Sequence, residues 1–162
     1  MRFSRVGQVF SIGLMLAMMV SCGAGDTYNR AHNRGANINS MIAIKNVAIA
    51  LETYRVERGE YPTVDSMDQL RPVLGAYLGD ERGIDRWGES LIVTVTPASY
   101  VLTSKGDDKQ GGHENGGPVE TAGHSITLKD GAFVQYHSSV ESTARKYEAE
   151  IAGVRPQTEA DA

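Results

Sequence analysis

The stretch that decides the fold lies in the middle of the 162-residue chain and reads Leu91-Ile92-Val93-Thr94-Val95-Thr96-Pro97-Ala98-Ser99-Tyr100-Val101-Leu102-Thr103-Ser104. Apolar residues at 91, 93 and 95 alternate with their neighbours before Pro97, and β-branched and aromatic residues return after it. A period of two is typical of strands, whose successive side chains point to opposite faces of a sheet. The stretch therefore predicts two paired strands.

A second pair of strands is predicted downstream. The runs 125–128 and 132–136 flank Asp130-Gly131, a pair suited to the positive backbone angles of a tight hairpin turn. Between the two strand pairs, Gly106 to Gly123 is rich in glycine and has almost no apolar side chain. This segment is predicted to be one long loop, and a long loop in a compact domain is where a functional site should be sought.

Upstream of the strands the apolar period changes to that of a helix. One stripe recurs at intervals of three and four residues and consists of Met41, Ile44, Val47, Ala48, Leu51 and Tyr54. The helix is predicted to end at about Arg58, with Gly59 as its cap and Pro62 blocking continuation. We expect its apolar stripe to lie on the sheet.

Two further helical patterns complete the prediction. The first has one face made of Met67, Leu70, Leu74, Tyr77 and Leu78, and Pro72 within it predicts a split into two short turns. The second starts at Ser138, which forms a predicted capping box with Glu141. Its apolar face is Val140, Ala144, Tyr147 and Ile151, and it is predicted to end near Gly153. The predicted fold class is α+β: a long N-terminal helix packed on an antiparallel sheet of about four strands, with a C-terminal helix.

Length and charge limit the classes of function. A chain of 162 residues has room for one ordinary domain. The formal net charge is −4, the isoelectric point is near 5.5, and the basic residues are scattered rather than clustered. A nucleic-acid partner is not expected, because there is no basic patch to neutralise phosphates. No small-molecule substrate is evident either.

The first residues have the pattern of an export signal. Arg2 and Arg5 precede an apolar run from Val9 to Val20, which is shorter than the roughly 20 residues that a membrane-spanning helix needs. The sequence that follows, Met18-Met19-Val20-Ser21-Cys22-Gly23, resembles the lipobox of bacterial lipoproteins, with Met19 where that family usually has Leu. Residues 1–21 are therefore predicted to be a signal peptide, with Cys22 lipidated. Ordinary secretion with Cys22 as an incidental thiol is the alternative.

The domain boundaries follow from these patterns. Residues 22–35 are predicted to be a solvated tether, 36–137 the globular domain, 138–153 the C-terminal helix and 154–162 a disordered tail. Cys22 is the only cysteine, so no disulfide is expected within the mature domain. The predicted location is the cell envelope, lipid-anchored and facing the periplasm. Gly23 stands where an inner-membrane retention signal would have Asp, which favours the outer membrane.

Three segments at the joints between these elements look familiar. They are residues 51–63, which contain Gly59-Glu60-Tyr61-Pro62-Thr63; Asp85-Arg86-Trp87-Gly88-Glu89-Ser90; and Tyr100-Val101-Leu102-Thr103-Ser104-Lys105-Gly106-Asp107-Asp108, followed by Gly111-Gly112. In this order and spacing they resemble the globular domain of the major pseudopilins of type II secretion. The resemblance covers about residues 36 to 136. It implies a non-enzymatic structural or interaction component linked to secretion or to a pilus-like apparatus.

Structural roles and one departure follow from that resemblance. Tyr61 and Pro62 would stop the helix, and Gly88 would allow the sharp turn beside Trp87. We expect Trp87, the only tryptophan, to be buried between the helix stripe and the sheet. The departure is at the start of the chain, where Gly7 is followed by no glutamate and the apolar run ends at Cys22. If the lipobox is used, the filament-forming helix of the family is cut away.

The resemblance also implies calcium as a cofactor of the glycine-rich loop. Asp108 matches the family's first carboxylate, Glu114 and Asn115 lie near its later acidic pair, and Asp107 is an additional acid. Ser125 stands where related sequences often have Asp, which leaves the ligand set incomplete, since calcium needs six to eight oxygens. A solvated acidic loop is the alternative.

Two other classes of function stay open. A zinc-binding module is suggested by His113, Glu114, Glu120 and His124, although their spacing matches no rigid ligand pattern. An enzyme is the third class, and Ser104, Asp108 and His124 supply the residue types of a hydrolytic triad. No nucleophile elbow or phosphate-binding loop accompanies them, so no catalytic residue is predicted.

Overall fold

The computed structural model describes the backbone of residues 6–106, 117–119 and 125–155, and the side chains of residues 32–106 and 125–155. Two compact units are present, Met1–Asn33 and Arg34–Ala162. The elements in chain order are α1 (Val6–Arg58), α2 (Met67–Leu78), β1 (Ile92–Thr96), β2 (Ser99–Ser104), β3 (Gly117–Val119), β4 (Ile126–Lys129), β5 (Ala132–His137), a 3-10 turn (Ser138–Val140) and α3 (Glu141–Ala152). The predicted α+β class, with a long helix, an antiparallel sheet and a C-terminal helix, is confirmed.

The sheet has the strand order β1-β2-β4-β5-β3. Strands β1, β2, β4 and β5 pair antiparallel with their neighbours, and the short strand β3 pairs parallel with β5 at the edge of the sheet. The predicted hairpin turn between β4 and β5 is confirmed, because Asp130 and Gly131 both have positive φ, 47° and 84°. The prediction of one uninterrupted loop over 106–123 is wrong, since Gly117–Val119 forms β3. A three-residue edge strand is too short to show an alternating apolar pattern, so the sequence did not predict β3.

Helix α1 starts much earlier than its apolar stripe indicates. Residues 22–35, predicted to be a tether, are helical in the structure as part of Val6–Arg58. The segment 6–58 contains no proline, and a helix extends at little cost once its first turn exists. Helical backbone does not test the predicted lipid on Cys22. Within the described part of the chain, no helix is long and apolar enough to cross a membrane.

The end of α1 agrees with its prediction. Gly59 has a φ of 86° and its N–H donates to the carbonyl of Arg55 at 2.7 Å, so it caps the helix. The chain then runs beside β1, where the Tyr61 N–H donates to Pro97 O at 3.2 Å and Val64 exchanges two hydrogen bonds with Val95. Tyr61-Pro62 therefore ends the helix and starts an extended segment.

Two predictions about the other helices are wrong. Pro72 lies inside an unbroken α2, because it removes one hydrogen bond while Met67, Leu70, Leu74 and Leu78 are all buried on the opposite face. The capping box of Ser138 does not form at α3, whose first turn has no side-chain cap. A 3-10 turn precedes α3 instead, and His137 Nδ1 accepts a hydrogen bond from Ser139 N–H at 3.1 Å.

One apolar core lies between the helices and one face of the sheet. The predicted stripe of α1 is buried, with Tyr54 half-buried at its end. The sheet contributes Val93, Val95, Tyr100, Leu102, Ile126 and Leu128. The face of α3 contributes Ala144, Tyr147 and Ile151. A fully buried side chain of this size stabilises a fold by about 1.5 to 3 kcal/mol, so these faces account for the packing of the sheet against the helices.

Candidate functional site

A carboxylate lies inside the apolar core. Glu52 of α1 is only 1% exposed, and it sits four residues after Ala48 on the core-facing side of the helix. Two phenols bind it: Tyr61 Oη donates to Oε2 at 3.0 Å, and Tyr100 Oη donates to Oε1 at 2.9 Å. The two tyrosine rings meet edge to face, 5.1 Å between centroids. A buried charge is costly unless it is paired, so this site needs a cation.

The cation comes from the far end of the chain. Arg155 donates to Glu52 Oε1 from Nε at 2.9 Å and from Nη2 at 2.6 Å, and Nη2 also donates to the Asp130 carbonyl at 2.5 Å. The Glu52 side chain is 1% exposed and the Arg155 side chain is 31% exposed. The guanidinium thus closes the buried cluster and ties it to the β4–β5 turn. We call Glu52, Tyr61, Tyr100 and Arg155 the Glu52 cluster.

The predicted disordered tail over 154–162 differs from the structure at its first two residues. Val154 and Arg155 continue the last turn of α3, with N–H groups donating to Ile151 and Ala152 at 3.1 Å. Residues 156–162 lie outside the described part of the chain. Sequence reasoning missed the cluster, yet one signal was available: Glu52 is a charged residue at a position where the apolar stripe requires a buried one.

The Glu52 cluster perturbs its tyrosines. Burial raises the pKa of Tyr61 to about 12, against the lowering effect of Arg55 and with a further rise from the negative Glu52. Burial also raises the pKa of Tyr100, and the charge and hydrogen bond of Glu52 raise it further. Both phenols therefore stay protonated at neutral pH and act as fixed donors. Both oxygens of the Glu52 carboxylate accept hydrogen bonds from side chains of the same protein. This arrangement is typical of a carboxylate with a structural role.

Alkaline titration is expected to reveal this cluster. A phenol whose pKa is raised in the folded state contributes stability that is complete below its unfolded value of 10.0 and is lost as the pH rises through about 12. The free energy of unfolding should therefore fall between those two pH values. Tyrosinate absorbance should show a late phase in which Tyr61 and Tyr100 ionise. Phe at both positions should remove the late phase, and a late phase that persists would contradict the assignment.

A second buried carboxylate organises the turn before β1. Asp85 is 5% exposed, and its Oδ1 accepts from Trp87 N–H at 3.0 Å and from Glu89 N–H at 2.9 Å. Its Oδ2 accepts from Ser104 Oγ at 2.8 Å. Gly88 supplies the positive φ of 84° that the turn requires. Asp85 thus joins the turn to the end of β2.

The predicted burial of Trp87 is wrong. Its side chain is half-buried, and the buried residue of the turn is Asp85. The two N–H groups that the tight turn leaves inside must find an acceptor, so the carboxylate takes the inward position and the indole lies at the edge. Of the other predicted structural residues, Tyr61 is buried, Pro62 is half-buried and Gly88 is exposed.

The remaining predicted site residues are not brought together by the described structure. Ser104 is fully buried and bonded to Asp85, so it is not placed as a nucleophile. Its proposed partners, Asp108 and His124, lie outside the described residues, as do the calcium candidates Asp107, Asp108, Glu114 and Asn115 and the zinc candidates His113, Glu114, Glu120 and His124. In residues 32–106 and 125–155, no three metal-binding side chains gather around one point.

The two buried carboxylates connect all three segments that resemble the pseudopilins. Glu52 of the first segment accepts a hydrogen bond from Tyr100 of the third, the Tyr61 ring of the first segment packs on the Tyr100 ring, and Asp85 of the second accepts from Ser104 of the third. Comparison of the chain with protein-family models, curated proteins and solved structures finds no match in any of the three. The resemblance therefore stays a prediction that rests on these segments and their contacts.

Proposed function

We propose that this chain is a non-enzymatic lipoprotein of the bacterial cell envelope, anchored through Cys22. Its α+β domain would serve as a structural or interaction component of a secretion or pilus-like apparatus. The observation that carries the proposal is the pair of buried carboxylate clusters, which link the three pseudopilin-like segments into one framework. Four residues that carry the resemblance belong to these two clusters: Tyr61, Asp85, Tyr100 and Ser104.

The chemistry of the two clusters supports a structural role. Each carboxylate is hydrogen-bonded on both oxygens by donors of the chain itself: two phenols and a guanidinium on Glu52, and two backbone N–H groups and a hydroxyl on Asp85. A catalytic carboxylate must reach a substrate or a proton in transit. These two instead fix the positions of the turns around the sheet.

Anchoring rests on the first residues of the chain. The positive start, the short apolar run and Ser21-Cys22 favour lipidation, and two or more acyl chains give stable membrane attachment where one does not. With the segment before Cys22 removed, the domain would be presented at a membrane surface without the helix that polymerises pseudopilins.

Metabolic labelling with a fatty-acid probe tests the anchor. The wild-type protein should carry the label and sediment with membranes, whereas Cys22→Ala should lose the label and enter the soluble fraction. Ser21→Ala is the matched control, because it keeps a small residue before the cysteine and should remain labelled. Label that persists in Cys22→Ala would overturn the anchor.

Deletion of the gene in its host tests the role in secretion. The set of proteins released into the medium should change, and the wild-type gene should restore it while Cys22→Ala should not. A released set that is the same with and without the gene would overturn the link to secretion.

A further inference from the structure

A cavity of about 580 Å³ opens between α1, α2 and the segment that follows α2. Its lining is Asn46, Ile49, Tyr77, Leu78, Asp80, Glu81, Arg82 and Ile84. All of these residues belong to the compact unit Arg34–Ala162. The volume falls within the roughly 300 to 1,000 Å³ of ordinary ligand pockets. Neither the Glu52 cluster nor the Asp85 turn uses this cavity.

The cavity has an apolar floor and one fixed aromatic wall. Ile49 and Leu78 form the floor, and Ile84 is 37% exposed beside them. The Tyr77 ring packs edge to face on Tyr54, 5.9 Å between centroids, and its hydroxyl donates to Glu57 at 2.6 Å. A ring held by a neighbouring ring and through its own hydroxyl is pre-organised to contact an apolar side chain.

The charged residues on the rim of the cavity favour a ligand of one charge. The Glu81 carboxylate accepts from Asn46 Nδ2 at 3.0 Å and from Gly83 N–H at 2.9 Å. Both donors are neutral, so they orient the carboxylate without cancelling its charge. Asp80 adds a second negative charge. Arg82 also lines the cavity and adds one positive charge, which among the described contacts forms no ion pair with either carboxylate, so the lining keeps one net negative charge. The oriented carboxylate therefore complements an incoming cation.

We propose that this cavity docks a basic, aliphatic segment of a partner protein. An aliphatic side chain would lie on Ile49, Leu78 and Ile84, and a lysine ammonium would reach Glu81 and Asp80. The cavity exceeds the volume of one side chain, which favours a segment with two or more anchoring residues. The inference names a partner chemistry for the interaction role proposed above and rests on it.

Binding of short peptides to the full-length protein in a non-ionic detergent tests the docking site. The probes are acetyl-Leu-Lys-Leu-amide and the charge-reversed acetyl-Leu-Glu-Leu-amide. The lysine peptide should shift the amide NMR signals of Asn46, Glu81 and Ile84, with affinity that falls as salt is raised. Equal binding of the glutamate peptide, or no shift at these three residues, would overturn the proposal. So would hexylamine binding as tightly as the lysine peptide, since that would indicate a small-amine site.

Two variants and one control assign the effect to the rim. Glu81→Gln should weaken the lysine peptide about fivefold, which is the upper range for an exposed charge pair. Ile84→Lys places a positive charge beside the apolar floor, where it would repel the lysine of the peptide, and should abolish the shifts. Glu141→Gln on α3 removes a carboxylate far along the chain from the cavity lining and should change nothing. Unchanged binding in Glu81→Gln and Ile84→Lys would overturn the site.

The cellular assay separates failure of this inference from failure of the proposed function. If gene deletion leaves the released proteins unchanged, the proposed function itself is wrong. If deletion has its effect, Glu81→Gln and Ile84→Lys should restore secretion less well than the wild-type gene. Full restoration by both would overturn the docking site alone.

Discussion

Replacing Glu52 by alanine is expected to lower the free energy of unfolding by about 3 to 5 kcal/mol, the usual cost of removing one partner from a buried ion pair. The change leaves two phenols without their acceptor and the Arg155 guanidinium without its anion. It also opens a gap in the core between α1 and the sheet. Urea unfolding monitored by circular dichroism measures the loss.

The two partners of this ion pair should not be equivalent. Arg155→Ala should also be costly, because it leaves the buried Glu52 carboxylate with two neutral phenol donors and no cation, whereas Glu52→Ala leaves a guanidinium that is partly exposed to water. The double variant should cost less than the sum of the two single variants, since the pair is then lost only once. A cost below about 1 kcal/mol for Glu52→Ala would match a surface carboxylate and contradict the buried cluster.

Replacing Asp85 by alanine is expected to cost about 3 kcal/mol, since a buried donor that loses a charged acceptor forfeits roughly 1.5 to 3 kcal/mol. Three donors lose their acceptor in this variant: two N–H groups of the turn and the fully buried Ser104 hydroxyl. Asp85→Asn is the matched control. Its remaining oxygen can still accept from the turn, so its cost should be smaller.

Trp87→Ala provides the contrast for the same turn. The indole is half-buried, so its removal should cost less than Asp85→Ala despite the greater loss of volume. Thermal melts of the three variants give the order directly. A larger cost for Trp87→Ala would mean that the indole, rather than the carboxylate, holds the turn.

The parts of the fold that could be predicted are those determined by residues close together in the sequence. The stripe of α1 follows from the helical period, Gly59 from the need for a positive φ, and the β4–β5 hairpin from Asp130-Gly131. Pro72 misled the prediction because its local penalty was weighed without the four apolar residues that α2 buries. Strand β3 could not be predicted, because its pairing partner and not its own sequence makes it a strand.

The candidate site was predicted less well, for a physical reason. The partners in the Glu52–Arg155 pair are 103 residues apart, so no local period or spacing connects them. The size of Trp87 indicated a core position. Asp85 is buried instead, because its carboxylate accepts hydrogen bonds from two N–H groups of the turn. A polar side chain is buried where it satisfies a donor that would otherwise lack an acceptor. The positions of such donors follow from the folded structure.

The Glu52–Arg155 pair also sets an order of events during synthesis. The carboxylate is made early and sits in the helix on which the sheet assembles, whereas its cation follows 103 residues later. Until residue 155 has been made, the assembling core holds an anion with only two phenols to stabilise it. Contacts so distant in sequence form late, because the chain between them must first be ordered. The nascent domain therefore reaches its full stability only after the last turn of α3 has docked.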